Sequence, residues 1–291
     1  MLLQAIASNP CLEVLTLSSS RFFTDAAKER VPGIQSNKTL TRIELFHCQF
    51  VRNELSCFLR TLSNLENLKE INLTGNKCFN GGLAGICFLL RKCKLQSIQI
   101  SSEDKVLRKK SLSALLRSLQ SSSTVTTLNL SNNKLNDMNL QDISTFLTHN
   151  QTMMNVVLSG NKFTSDGVRR SLTTDIPRYH ELKRLCINNH YDFLTLRVFE
   201  ALKESIRPDN WSLQSIDVIE IVDDQLPFIM DLNRSYRSVL RDTTFPSSLW
   251  PLLLQRADRK VKKSTNHNQQ LCRRASILYY FLRNSSTIFT S

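Results

Sequence analysis

One pattern recurs along most of this chain: an apolar residue is followed by two others, three and five positions further on. The pattern begins eight times, at Leu12, Leu40, Leu68, Leu95, Val125, Met153, Leu182 and Leu213. Successive starts are 28, 28, 27, 30, 28, 29 and 31 residues apart, a regularity that is hard to obtain by chance. A fixed period of roughly 20 to 50 residues indicates a repeat protein in which each unit is one supersecondary motif.

Each strand-like segment leads into a turn with a characteristic residue. Eight positions after the first apolar residue stand Cys48, Asn76, Asn133 and Asn161. A buried Asn amide there can donate to and accept from backbone groups of the turn that would otherwise lack partners. The other four repeats have Ser20, Glu103, His190 and Ile221 at this position, so we expect less regular turns there. The fourth repeat, which begins at Leu95, fits the register least well.

Between the strand-like segments the apolar spacing lengthens to about 3.6 residues, which indicates amphipathic helices. Four such apolar faces are Leu55, Phe58, Leu59 and Leu62; Leu112, Leu115, Leu116 and Leu119; Leu140, Ile143 and Leu147; and Leu196, Phe199, Leu202 and Ile206. Helical hairpins without strands are the alternative, but the regular alternation of the two spacings favours strand–helix units. Since one unit cannot bury its apolar face alone, neighbouring units must stack to form a common core.

The repeat resembles the leucine-rich-repeat family, and its period of 27–31 residues with full helices is similar to the ribonuclease-inhibitor-like subtype. The resemblance covers roughly residues 1–222. It implies an α/β leucine-rich-repeat solenoid, a horseshoe with parallel strands on the concave side and helices on the convex side. It implies little about function, because this scaffold serves many partners. Residues 1–9 look like the end of a preceding helix, so we expect a fragment or truncated version of a longer repeat array.

Residues 223–291 lack the repeat and predict a small α-helical cap. Three apolar segments, 228–240, 248–257 and 275–283, predict three short helices. The segments Leu232-Asn-Arg, Leu249-Trp-Pro-Leu and Leu278-Tyr-Tyr-Phe-Leu-Arg together resemble the tail of uncharacterised repeat proteins from diatoms and related algae. A docking module that recruits another subunit is the alternative to an end cap.

A polar tract at 258–274 lies between the second and third of these helices. Its basic residues, opposed by one acid, are Arg259, Lys260, Lys262, Lys263, Arg273 and Arg274. This composition predicts a solvated basic loop. The alternatives are a nuclear-import-like cluster or a contact with an anionic partner.

The net charge of +13 favours an acidic partner, which can be nucleic acid, an anionic membrane or an acidic protein surface. The eight cysteines form no C-x-x-C pair, and we expect them to be reduced and structural, which favours the cytoplasm, with the nucleus as the alternative. We expect no transmembrane segment. The Asn72-Leu-Thr and Asn150-Gln-Thr sequons are interpreted as chance matches.

Motifs for nucleotide binding, zinc hydrolysis, serine hydrolysis and phosphoryl transfer do not occur, so we predict no catalytic, cofactor or metal site. The Gly81-Gly82 pair predicts a turn. Because side chains alternate along a strand, residues between the buried positions should project from the concave face. We predict a binding surface there, formed by Arg42, Glu44, Phe46, Glu70, Asn72, Gln99, Asn129, Asn155, Arg184 and Asp217.

These features predict a non-catalytic scaffold or adaptor that binds a protein, with no small-molecule substrate. Three alternatives remain: a GTPase-activating-type regulator, since Ran GTPase-activating proteins use this repeat subtype; a polyanion or nucleic-acid binder acting through the basic loop; and a sensor fragment detached from an upstream domain. The concave face lacks a basic stripe, which counts against duplex nucleic acid.

Overall fold

The computed structural model describes residues 9–19, 34, 37–48, 50, 54–76, 80–102, 107, 109–179, 181–188, 201 and 212–217. Within these residues, eight short strands form one parallel sheet whose strand order follows the chain. The strands are β1 (Val14–Ser18), β2 (Arg42–Phe46), β3 (Glu70–Asn72), β4 (Ser97–Gln99), β5 (Thr127–Asn129), β6 (Asn155–Val157), β7 (Arg184–Cys186) and β8 (Ser215–Asp217). One predicted repeat therefore supplies one strand.

Helices cover one face of this sheet. They are α1 (Glu54–Thr61), α2 (Asn80–Lys92), α3 (Lys109–Gln120), α4 (Asp137–His149) and α5 (Ser165–Asp175), with 3₁₀ turns at Leu62–Asn64 and Ile176–Arg178. The predicted apolar faces of α1, α3 and α4 are all buried. The fourth predicted face, from Leu196 to Ile206, lies outside the described residues, as does the predicted cap at 223–291. None of the described helices is long and apolar enough to cross a bilayer.

The core lies between the sheet and the helices. It receives the three apolar positions of almost every repeat, with Leu12, at the first repeat, only partly buried. In the second repeat Leu40, Ile43 and Leu45 are at most 1% exposed. Each fully buried side chain of this kind contributes about 1.5–3 kcal/mol of transfer free energy. Stacking therefore stabilises the solenoid through one continuous core, as the spacing predicts.

The predicted turn residues form a ladder of hydrogen bonds between repeats. Nδ2 of Asn76 donates to the carbonyl of Leu45 (2.6 Å), and Nδ2 of Asn161 donates to that of Leu130 (3.0 Å). Asn133 donates in the same way to the carbonyl of Ile100 (2.6 Å), while the Cys48 sulfur makes a weaker contact of 3.6 Å with the equivalent carbonyl. Each turn residue thus satisfies a backbone group of the preceding strand. The predicted donation by the buried amides is confirmed for all three Asn residues, and the predicted acceptance is confirmed for Asn161.

One local prediction is confirmed and one is corrected. The fourth repeat has the predicted register, because Ser97 of β4 pairs with Glu70 on one side and Thr127 on the other. Gly81 and Gly82 do not form a turn but lie in the first turn of α2. A helical glycine costs about 0.5–1 kcal/mol relative to alanine, and the buried apolar residues of α2 offset this cost.

The Asn150-Gln-Thr sequon has a structural role that the sequence interpretation missed. Oδ1 of Asn150 accepts hydrogen bonds from the backbone N–H groups of Thr152 (3.0 Å) and Met153 (2.7 Å). Asn37 binds the N–H groups of Thr39 and Leu40 in the same way. An Asn three positions before the first apolar residue therefore fixes the loop that enters the strand. The signal was visible as Asn37-Lys-Thr-Leu and Asn150-Gln-Thr-Met.

Candidate functional site

The parallel register arranges the outward strand positions in two continuous rows. The first row runs through Val14, Arg42, Glu70, Ser97, Thr127, Asn155, Arg184 and Ser215. The second row runs through Thr16, Glu44, Asn72, Gln99, Asn129, Val157, Cys186 and Asp217. Neighbouring strands in a sheet are about 4.8 Å apart, so each row brings side chains from successive repeats into contact. This pair of rows is the concave face.

Charged residues occupy the end of the concave face formed by β1–β3. Nε of Arg42 lies 2.7 Å from Oε2 of Glu70, in the same row. In the second row the hydroxyl of Thr16 donates to Oε2 of Glu44 over 2.9 Å. The hydrogen bond and charge of Glu70 raise the pKa of Arg42, so its guanidinium stays charged. Charges of opposite sign therefore pair within this surface.

The middle of the concave face is neutral and polar. Nδ2 of Asn155 lies 3.2 Å from Oγ1 of Thr127 and donates to it. Oδ1 of Asn129 accepts from the backbone N–H of Ser131 at 2.9 Å, which fixes the orientation of the amide. Ser97 and Gln99 of β4 are half-buried and complete this region. Hydroxyl and amide groups can both donate and accept, so the region can match a partner's backbone without burying an unpaired charge.

The remaining predicted residues differ in accessibility. Arg184 is exposed, whereas Cys186 has an outward position in the neighbouring row but is buried there. The residues on either side of Cys186 belong to the core, so alternation along the strand places its thiol on the concave side, where it offers little accessible surface. Phe46 is half-buried at the end of β2. Asp217 has the predicted strand position in β8.

A close contact follows β2. His47 is exposed and has a φ of 51°, and its ring lies against Gly75 of the next turn. A Cβ atom on Gly75, whose φ is +73°, would lie 2.3 Å from the His47 ring. The positive φ favours glycine at this position, and the absence of a side chain on Gly75 leaves room for the His47 ring in the turn beside the concave face.

The other candidate sites do not add to this surface. All six predicted basic-loop residues, Arg259 to Arg274, lie outside the described residues. The described residues hold no group of three or more His, Cys, Asp or Glu side chains placed to bind a metal ion. Ser144, Asp175 and Tyr179 form a hydrogen-bonded cluster, with the Ser144 hydroxyl 2.7 Å from Asp175 and 2.6 Å from Tyr179. All three are buried in the core, so the cluster joins α4 and α5 rather than facing solvent.

Comparison with known proteins agrees with the repeat architecture. A family model described as "Leucine Rich repeat" matches residues 121–137, which connect α3 to β5 and its following turn. The chain is 26% identical over 188 residues to the ribonuclease inhibitor of Sus scrofa, covering 64% of this chain and 41% of that protein. The eight-stranded parallel sheet with its helices has the fold of a leucine-rich-repeat solenoid, and the chain is similar to the ribonuclease-inhibitor-like subtype. It spans less than half the length of the pig inhibitor.

Several solved structures resemble this leucine-rich-repeat solenoid. The leiomodin-1 actin-binding site 2 structure aligns with a TM-score of 0.45 and 15% identity, covering 50% of this chain and 84% of that one. The tropomodulin C-terminal domain of Caenorhabditis elegans gives 0.42 and 14%, covering 51% and 89%. A Bacteroides fragilis protein gives 0.46 and 11%, covering 75% and 69%.

Proposed function

We propose that this solenoid is a non-catalytic scaffold or adaptor that binds a protein partner through its concave face. The observation that carries the proposal is the unbroken register of the eight strands, which aligns outward side chains from every repeat into one surface. The pig protein that this chain resembles is, by its name, an inhibitor of ribonuclease, itself a protein, and this supports a protein partner.

The chemistry of the concave face supports a neutral polar contact at its centre. Burying a polar group costs free energy unless it is hydrogen-bonded. Ser97, Gln99 and Thr127 are half-buried before any partner binds, so part of this desolvation is already complete. Energetically important contacts tend to lie near the centre of an interface. We therefore place the centre of the partner's footprint on β4–β6.

We test this footprint by placing a positive charge at its centre. Ser97→Arg introduces a long cationic side chain in β4, while Gln141→Arg adds the same charge at an exposed position of α4. The full chain and both variants are immobilised, and proteins captured from the source cells are quantified by mass spectrometry. We expect a specific protein retained equally by the native chain and Gln141→Arg, and depleted at least about tenfold by Ser97→Arg.

Equal capture by all three proteins would reject the concave face as the binding surface. Circular dichroism confirms that both variants fold. We also propose that residues 223–291 form a helical cap with a basic loop and that the protein is cytoplasmic. A GTPase-activating role is tested by measuring GTP turnover of candidate GTPases with and without the chain.

A further inference from the structure

The convex side carries a groove of about 880 Å³ along α2 and α3, with the end of α1 at one side. Its α2 wall includes Leu83, Ala84, Cys87 and Arg91, which recur every three or four residues and therefore share one helix face. The volume is within the usual range for ligand sites, roughly 300–1,000 Å³. The groove is separated from the concave face by the core.

Five cationic side chains surround this groove: Arg60, Arg91, Lys109, Lys110 and Arg117. All five are exposed, and no carboxylate is among the described residues that line the groove. The ion pairs found within the described part of the chain involve none of the five. Like charges around one groove repel one another. Binding of an anionic partner is therefore favoured both by its attraction to the cations and by the relief of their mutual repulsion.

Local contacts hold the three arginines in place. The Arg60 guanidinium lies 4.9 Å from the centre of the Phe88 ring, a cation–π contact between α1 and α2. Nε of Arg91 donates to the carbonyl of Cys87 (3.1 Å), and Nε of Arg117 donates to that of Ser113 (3.3 Å). These bonds occupy Nε and position the guanidinium groups at the rim. Less side-chain entropy is then lost when a partner binds.

Between the cations the groove is lined by apolar residues, which form its floor, and by the serines Ser111, Ser118 and Ser121 of the α3 side. Leu83 and Cys87 from α2 and Ala114 from α3 lie on the floor, and Ala84 is exposed at its edge. An apolar floor with a cationic rim matches a segment that is apolar on one face and acidic on its flanks. Recognition of an amphipathic helix in a groove follows this arrangement. α2 has 13 residues, and at about 1.5 Å per residue a partner helix of similar length can lie alongside it.

We propose that this groove binds an acidic amphipathic helix of a partner protein, with apolar side chains on the floor and Asp or Glu side chains at the rim. A nucleic-acid strand would place phosphates at the rim but needs aromatic platforms for its bases, and none of the described residues that line the groove is aromatic. A bilayer surface is too flat to fill a groove between helices. The proposal concerns a different surface from the concave face and does not depend on it.

The direct test uses the full chain and a fluorescein-labelled peptide of about 18 residues, five helical turns. The peptide has Leu at helical positions i, i+3, i+4 and i+7 and Glu on its flanks. A second peptide has the same composition with the Leu residues scattered. We expect fluorescence anisotropy to show saturable binding of the first peptide and at least about tenfold weaker binding of the second.

Charge-reversal variants test whether the peptide binds at the groove or at the predicted basic loop. Arg91→Glu/Lys110→Glu reverses two exposed charges at the rim, and Lys262→Glu/Lys263→Glu makes the same change of charge in the predicted basic loop. We expect the rim variant to weaken binding at least about tenfold and the loop variant to change it less than about twofold. Ser97→Arg should leave peptide binding unchanged, because Ser97 lies on the concave face. A failed peptide test therefore does not reject the concave site, and a failed capture test does not reject the groove.

Several results would overturn the proposal. These are no binding of the amphipathic peptide, equal binding of the scattered peptide, or equal loss in the rim and loop variants. Competition with single-stranded DNA and with phosphatidylserine vesicles completes the test. Displacement of the peptide by the DNA at lower concentration than by unlabelled peptide would identify a nucleic-acid site instead, and displacement by vesicles would identify a lipid site.

Discussion

Asn161 offers the sharpest test of how the repeats are joined. Its side chain is fully buried, and all its hydrogen-bonding capacity is used. Nδ2 donates to the carbonyls of Leu130 (3.0 Å) and Leu158 (2.7 Å). Oδ1 accepts from the backbone N–H groups of Asn133 (3.0 Å) and Leu135 (3.0 Å). Three of these bonds connect two consecutive repeats, and the fourth, to Leu158, closes the turn of the same repeat.

Asn161→Ala should lower the free energy of unfolding by roughly 4 kcal/mol, at about 1 kcal/mol for each of the four bonds. Asn76 provides a matched control because it has the same position in its repeat and is equally buried. Its Nδ2 donates to Leu45 (2.6 Å) and Leu73 (3.0 Å), with a longer contact of 3.4 Å to Thr74. Its buried Oδ1 has no hydrogen-bond partner among the described residues. Asn76→Ala should therefore cost roughly 2 kcal/mol.

Urea unfolding followed by circular dichroism measures both losses. With a slope of about 2 kcal/mol per molar urea, the difference of about 2 kcal/mol separates the two midpoints by about 1 M. Repeat proteins can unfold in stages, so a second probe must give the same midpoint before the free energies are compared.

Equal destabilisation by Asn161→Ala and Asn76→Ala would refute this reasoning, because it would show that the two bonds accepted by Oδ1 contribute nothing. A loss below about 1 kcal/mol for Asn161→Ala would also refute it, since it would mean that water replaces all four bonds at little cost.

Tyr179→Phe removes a hydroxyl 2.6 Å from a buried serine hydroxyl and should cost about 1–2 kcal/mol in neutral urea unfolding. Burial raises the pKa of the native Tyr179 phenol, whereas the unfolded phenol ionises near pH 10. The resulting stability is fully present below about pH 10 and is lost as the pH rises above it, and Tyr179→Phe should lack this part of the decline. In Gly85→Ala the new Cβ would lie 2.9 Å from Cβ of Leu59. Overpacking should then lower thermal stability by about 1–3 kcal/mol despite the better helix propensity of alanine. The Arg42–Glu70 pair is 44% and 36% exposed, so a double-mutant cycle to alanine should give a coupling below about 1 kcal/mol.

The strand register could be predicted from sequence because the period of a strand is two. A shift of one residue would place every apolar side chain in solvent, so the apolar triplets fix both the buried and the outward positions. This is why the alignment of Ser97 with Thr127 follows from spacing alone. The burial of Cys186 does not follow from spacing, because alternation places it outward and its low exposure depends on how neighbouring side chains pack around it.

The groove between α2 and α3 could not be predicted in this way. Helical spacing shows that Ala84, Cys87 and Arg91 share a face, but the distance to the facing residues of α3 depends on how the two helices pack. A partial signal existed: from Arg91 to Arg117 the sequence has eight Lys or Arg residues and two acids. Such a run usually indicates a solvated surface, so the apolar floor was needed to distinguish a groove from an exposed basic patch.

The distribution of charge separates the two proposed surfaces. The protein has a net charge of +13, yet the outward positions of the concave face hold two Arg residues, Arg42 and Arg184, and three acids, Glu44, Glu70 and Asp217. Two positive and three negative charges sum to −1, so the excess of positive charge lies elsewhere, and the groove rim alone holds five cations. The buried layer of Leu and Ile side chains keeps the two surfaces apart. An acidic partner is therefore expected at the convex helices, and a neutral hydrogen-bonding surface is expected at the concave face, so one solenoid can hold two partners at once.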